Sequence, residues 1–229
     1  QYSNDVYFGK DDYLIGIPEP LEYESELCSK NLEYLGSFLD TYTGKLGSEH
    51  VKAVIVPTAS EVLTEKLPFS AAPYPQKLLI EKMKERFPDD SLLSALPVLK
   101  EHALEEIYYR TDHHWTTLGA YYTYSEWCKE MGFTPVPSSE WNITACTDDF
   151  SGTLQSKVNI ETKTDSIYLY EPKNGLTSSV YYDGSETPSE HGFYDKKALD
   201  SKGKYDVFFG GNHGTVVIET DLSDSSMED

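Results

Sequence analysis

The sequence predicts an α/β fold with a mostly parallel sheet, followed by an antiparallel β-rich region. Two observations predict it. Up to Gly132, β-rich runs and helical periods follow one another, which suggests βαβ organisation. Beyond Gly132 the pattern changes to short alternating runs separated by Gly, Asn, Ser and Pro. The chain therefore divides into a core at 1–132 and a β-rich extension at 133–229 that returns to the core.

Taken in order, residues 6–15 read as a hairpin around Gly9-Lys10-Asp11-Asp12. Pro18 and Pro20 introduce a helix over 21–42, with Cys28, Leu32, Leu35, Leu39 and Tyr42 at helical spacing and Gly44 at its end. Residues 51–57, rich in Val and Ile and stopped by Pro57, read as a buried strand. A helix follows over about 76–87, and Pro97-Val98-Leu99 and a helical turn through Leu104 lead to residues 107–120. There a β-rich run ends in a polar tip and turns into an amphipathic helix, with Gly132 as its C′ residue. In the extension, residues 167–170 and 179–182 read as strands. Residues 207–209 and 215–218 read as a strand–turn–strand around Gly210-Gly211-Asn212-His213-Gly214. The acidic tail 221–229 would not fold alone.

The formal net charge of -20 argues against nucleic acid, whose phosphates are met by Lys and Arg. No apolar run approaches the roughly 20 residues of a membrane span, so the chain is not expected to be an integral membrane domain. It begins with Gln1, and we expect any signal peptide or anchor to have been removed or to lie outside this sequence. Cys28, Cys128 and Cys146 have no metal spacing; Cys28 and Cys128 fall in amphipathic helices and read as buried free thiols, with a disulfide as the alternative. The 18 tyrosines suit either core packing or sugar-binding platforms.

The densest set of reactive groups is Arg110, Asp112, His113 and His114, at the end of a strand where open α/β sheets keep their chemistry. In extended backbone, residues two apart share a face, so Asp112 and His114 meet while His113 points away. A carboxylate on an imidazole fixes its tautomer and stabilises the imidazolium, as in a hydrolase triad. Arg110, two before Asp112, is placed to hold a carboxylate or oxyanion, and Thr116 or Thr117 to cap the next helix. Three readings are open: a structural hydrogen-bonded pair, a zinc site from Asp112 and the two histidines, and the acid–base half of nucleophilic catalysis. The metal reading lacks further ligands and needs histidines that converge, so we expect no metal and no cofactor.

The run from Tyr108 to Tyr122 (Tyr-Tyr-Arg-Thr-Asp-His-His-Trp-Thr-Thr-Leu-Gly-Ala-Tyr-Tyr) resembles the signature of the DHHW family of Gram-positive bacteria. That family is similar to the SGNH-hydrolase-like domains of alginate O-acetyltransferases, where the segment reads Tyr-Arg-Thr-Asp-x-His-Trp-Thr. The hairpin at 6–14 and the strand end at 54–62 resemble pieces of the same domains. The resemblance implies an SGNH-like (flavodoxin-like) three-layer α/β/α core, an extracellular or cell-surface location, and a serine that carries an acyl group. It makes Asp112 the triad acid, His114 the base and Trp115 a packing residue behind the site.

In those relatives the nucleophilic serine follows the acid–base motif, in a Gly- or Asp-Ser-Tyr segment. We therefore expect it beyond residue 229, with this chain inactive alone. Ser225 and Ser226 lie in the acidic tail, Ser60 follows a strand end but has no catalytic counterpart, and Ser151 reads as a turn residue. Asn212 fits either an oxyanion-hole donor or a hairpin turn, and His213, His50, His102 and His191 read as surface residues. The expected function is an SGNH-like serine esterase or O-acetyltransferase acting on a cell-surface or exopolysaccharide glycan, working beside other cell-envelope polysaccharide machinery. The alternative is a non-catalytic glycan-binding or assembly module of the same fold.

Overall fold

The structure, a computed structural model, describes residues 2–158 and 160–220. The acidic tail, with Ser225 and Ser226, lies outside the described residues. The fold is mixed α/β, and the chain forms two compact units: residues 1–135 with 153–163, and residues 136–152 with 164–229.

The first unit opens with strands β1 (Tyr2–Ser3), β2 (Val6–Phe8) and β3 (Leu14–Gly16) in an antiparallel sheet. Asp11 and Asp12 make the β2–β3 turn with φ of 55° and 63°, values that Asp tolerates better than most residues. Side chains alternate along the hairpin, so Tyr7 and Ile15 enter the main core. Val6 and Leu14 pack instead on Leu154, so both faces are covered.

Helices α1 (Pro20–Glu24) and α2 (Glu26–Leu46) replace the single helix expected over 21–42. Ser25 breaks the run because its hydroxyl accepts the Cys28 amide at 3.0 Å and caps α2. Gly44 does not end α2. The helix continues to Leu46, and Gly47, with φ of 95°, provides the left-handed turn that Gly44 was expected to supply.

Strand β4 (Ala53–Ile55), helix α3 (Ala59–Val62), helix α4 (Lys77–Arg86) and strand β5 (Leu92–Ser94) follow. β4 and β5 form the one parallel pair among the described residues, so the sheet is not mostly parallel; the other sheets are small and antiparallel. β4 is also less buried than its composition implies. Ala53 and Ile55 pack on Leu32, Leu39, Met83 and Phe87, but Val54, which points to the opposite face, is 40 % exposed. Helices α5 (Leu96–Glu101), α6 (Thr117–Glu130) and α7 (Thr153–Val158) complete the unit. Thr116 caps α6, and Gly132 follows it with φ of 77°.

In the second unit, β6 (Trp141–Phe150), which the sequence reading did not mark, pairs antiparallel with β7 (Asp165–Pro172) through two register shifts. β8 (Ser178–Tyr182) pairs with β9 (Val216–Thr220). The expected strand–turn–strand over 207–218 does not form. Phe209, Gly210 and Gly211 all have positive φ, and Lys204–Val207 is a 3-10 helix, so β9 finds its partner in β8 instead. Among the described residues no helix is long and apolar enough to cross a membrane, and all three cysteines are free thiols.

Candidate active site

The segment at 107–116 folds back on itself. Tyr108 and Trp115 form an isolated antiparallel bridge, the Tyr109 amide donates to His114 O at 3.2 Å, and the Thr116 amide donates to Ile107 O at 2.9 Å. Its base is fixed by burial. Ile107, Tyr108 and Tyr109 are buried, Tyr108 donates its hydroxyl proton to the Pro57 carbonyl, and Trp115 packs against the same core. Gly119 is needed where α6 starts, since a Cβ there would lie 2.5 Å from Ile107 O. Residues 110–114 are therefore a bent loop, where a strand followed by an extended tip was expected.

The bend changes which side chains meet. Asp112 Oδ1 accepts from His114 Nδ1 at 2.6 Å and from the His114 amide at 3.0 Å. His113 does not turn away as extended backbone would require: its Nδ1 is 3.5 Å from the same oxygen, and the two rings lie 3.9 Å apart. Asp112 Oδ2 accepts from Thr153, through its amide at 2.7 Å and its hydroxyl at 3.0 Å. His113 Nδ1 meets the same hydroxyl at 2.8 Å, and the Gln155 amide donates to Thr111 O at 3.0 Å, so α7 docks on the loop. Thr153 escaped the sequence reading because it is 41 residues from Asp112 and carries no local motif.

Burial of Asp112, whose side chain is 2 % exposed, by itself favours the protonated carboxyl. The hydrogen bonds from His114 and Thr153 and the proximity of His113 outweigh that effect, and the group stays ionised far below the usual carboxylate range. The His114 side chain is 37 % exposed, so the pair has one buried and one accessible member. Burial depresses the pKa of His113, with Asp112 opposing and His114 reinforcing that effect. Among the described residues, donor atoms of Asp112, His113 and His114 lie within 4.8 Å of one another, so the divergence that argued against a shared metal ion is absent. Their Nδ1 atoms, however, face a carboxylate and a hydroxyl, which is the geometry of proton sharing.

Arg110 ion-pairs with Glu106 and lies over the Tyr13 ring at 5.2 Å. Ser60 is 1 % exposed and bonded to Thr58 and Gln76, which seals it from any substrate. Ser151 is exposed. Asn212 is exposed. His50 is exposed, and His102, His191 and His213 are partly exposed. His102 stacks on Tyr122 at 3.6 Å and bonds Glu105 at 2.6 Å, and His213 pairs with Asp183 at 2.8 Å.

The family model for the DHHW protein matches residues 29–228. The chain belongs to the DHHW family. Among solved structures, this DHHW protein is similar to a DHHW family protein from Eubacterium siraeum, with TM-score 0.74 and 23 % identity over 98 % of this chain and 74 % of that one. It is also similar to Bacillus cereus PatB1 bearing a sulfonyl adduct, with TM-score 0.69 and 19 % identity over 96 % and 75 % of the two chains. A third is the O-acetyltransferase domain of Pseudomonas putida AlgJ, with TM-score 0.53 and 20 % identity over 73 % and 65 %. At these identities the likeness is one of fold. No curated protein sequence matches the DHHW chain.

Proposed function

We propose that this DHHW protein is an exported SGNH-like serine esterase or O-acetyltransferase acting on a cell-surface or exopolysaccharide glycan, and that the chain supplies its acid–base pair. The observation that carries this reading is the 2.6 Å contact between buried Asp112 and partly exposed His114. The fold shared with the AlgJ O-acetyltransferase domain supports the reaction class. In this reading the core is the three-layer SGNH type, and the nucleophilic serine comes from a segment outside these 229 residues.

Asp112 keeps the His114 proton on Nδ1, which puts the lone pair on Nε2 and makes that nitrogen the base. His114 takes the serine proton as the serine oxygen attacks the ester carbonyl. It then returns the proton to the departing alcohol, leaving an acetyl-serine. A glycan hydroxyl or water, deprotonated by His114, attacks that ester and frees the serine.

The test is the longer gene product assayed on p-nitrophenyl acetate. His114→Ala is expected to lower kcat by about 10⁶-fold and Asp112→Asn by about 10⁴-fold, the losses seen when the base or the acid of a triad is removed. Rates equal to wild type in His114→Ala would remove the base assignment.

A further inference from the structure

The Thr153 hydroxyl has one proton and two neighbours, Asp112 Oδ2 at 3.0 Å and His113 Nδ1 at 2.8 Å. An ionised carboxylate can only accept, so that proton belongs to the Asp112 contact. The His113 contact then requires a hydrogen on Nδ1. Free neutral imidazole favours the proton on Nε2, so the geometry selects the rarer tautomer at His113. The carboxylate accepts four hydrogen bonds, two on each oxygen. Three of the four come from groups that a capped helix and a catalytic pair would explain without the hydroxyl: the Thr153 amide, the His114 amide and the His114 ring.

We propose that Thr153 is a positioning residue for the acid–base pair, oriented by His113: His113 Nδ1–H donates to Thr153 Oγ, whose proton goes to Asp112 Oδ2 and fixes the carboxylate with Oδ1 toward His114 Nδ1. Its role in acyl transfer rests on the reading of Asp112 and His114 given above. Without the hydroxyl, the two amides still tie the loop to α7, so the fold survives. The carboxylate keeps one partner on Oδ2 and gains freedom to rotate about Cβ–Cγ, which loosens its grip on the imidazole. Thr153 makes no part of the reacting set, so its loss acts on kcat and leaves KM in place.

The first measurement needs no substrate. In the 229-residue chain labelled with ¹⁵N-histidine, ring-nitrogen shifts are read at a pH where the imidazoles are neutral. Wild-type His113 is expected as the Nδ1–H tautomer, Thr153→Val moves it toward Nε2–H, and Thr153→Ser restores it. Nε2–H at His113 in the wild type, or a tautomer indifferent to Thr153→Val, overturns the proposal, and the wild-type spectrum alone can do so if the variant fails to fold. In the longer protein, Thr153→Val is expected to lower kcat about tenfold, as for one hydrogen bond to a charged group, with KM unchanged and Thr153→Ser near wild type. An unchanged kcat in Thr153→Val, or an equal loss in Thr153→Ser, removes the positioning role. An active His114→Ala removes the acid–base reading, while the tautomer still decides the hydrogen-bond chain, so the two failures are distinguishable.

Discussion

Both ring nitrogens of His213 face acceptors: Nδ1 is 2.8 Å from Asp183 Oδ2 and Nε2 is 2.9 Å from Phe209 O. Only the doubly protonated ring satisfies both, and the hydrogen bond to Asp183 leads in raising its pKa. A histidine raised in the folded state contributes stability that is complete below its unfolded value and is lost as pH rises through the folded one. The wild type is therefore expected to lose thermal stability relative to His213→Asn between about pH 6 and pH 8, read as Tm against pH. A difference that does not change with pH would contradict the assignment. Asp112 has the opposite sign: its stabilisation is present above the unfolded carboxylate value and disappears as pH falls toward its much lower folded one. At this scale the sequence identified Asp112 and His114 as partners through the Asp-x-His motif, although the backbone that joins them is bent where extended backbone was expected. It misjudged His113 because the two-residue period applies only to extended backbone, and it did not pair His213 with Asp183 because the two are 30 residues apart.

Two helical glycines separate local propensity from packing. Gly119, in the first turn of α6, would bring a Cβ to 2.5 Å from Ile107 O, while Gly44, inside α2, has nothing within 4 Å. Alanine favours a helix over glycine by about 1 kcal/mol at either site. At Gly44 that gain stands, and Gly44→Ala is expected to stabilise by roughly 0.5–1 kcal/mol in denaturant unfolding. At Gly119 the obstacle is backbone, which cannot swing aside, and Gly119→Ala is expected to destabilise by about 1–3 kcal/mol. Changes of the same sign at both positions would refute this account. The helices over 77–86 and 117–130 were legible because their apolar spacing and C-terminal signals are local. The break at Ser25 and the helix end at Gly47 were not, since the apolar period runs through Ser25 and both Gly44 and Gly47 are plausible stops.

For the whole molecule, a net charge of -20 makes self-repulsion a general cost of folding. Raising salt from a few millimolar to about 0.1 M, where the Debye length is ~10 Å, is expected to raise Tm. A fall would mean that attractive pairs such as Lys66–Asp11 outweigh the repulsion. Sequence alone determined the α/β character, the N-terminal hairpin, the helix preceding the loop and the chemistry concentrated at Asp112 and His114. These follow from periodicity, turn residues and motif, which act over a few positions. Tertiary structure decided the pairing of β8 with β9, the bend that brings His113 onto Asp112, and the arrival of Thr153 on the second carboxylate oxygen. Such contacts join residues on different elements, and no local pattern encodes which distant hydrogen-bond donor a buried carboxylate will find.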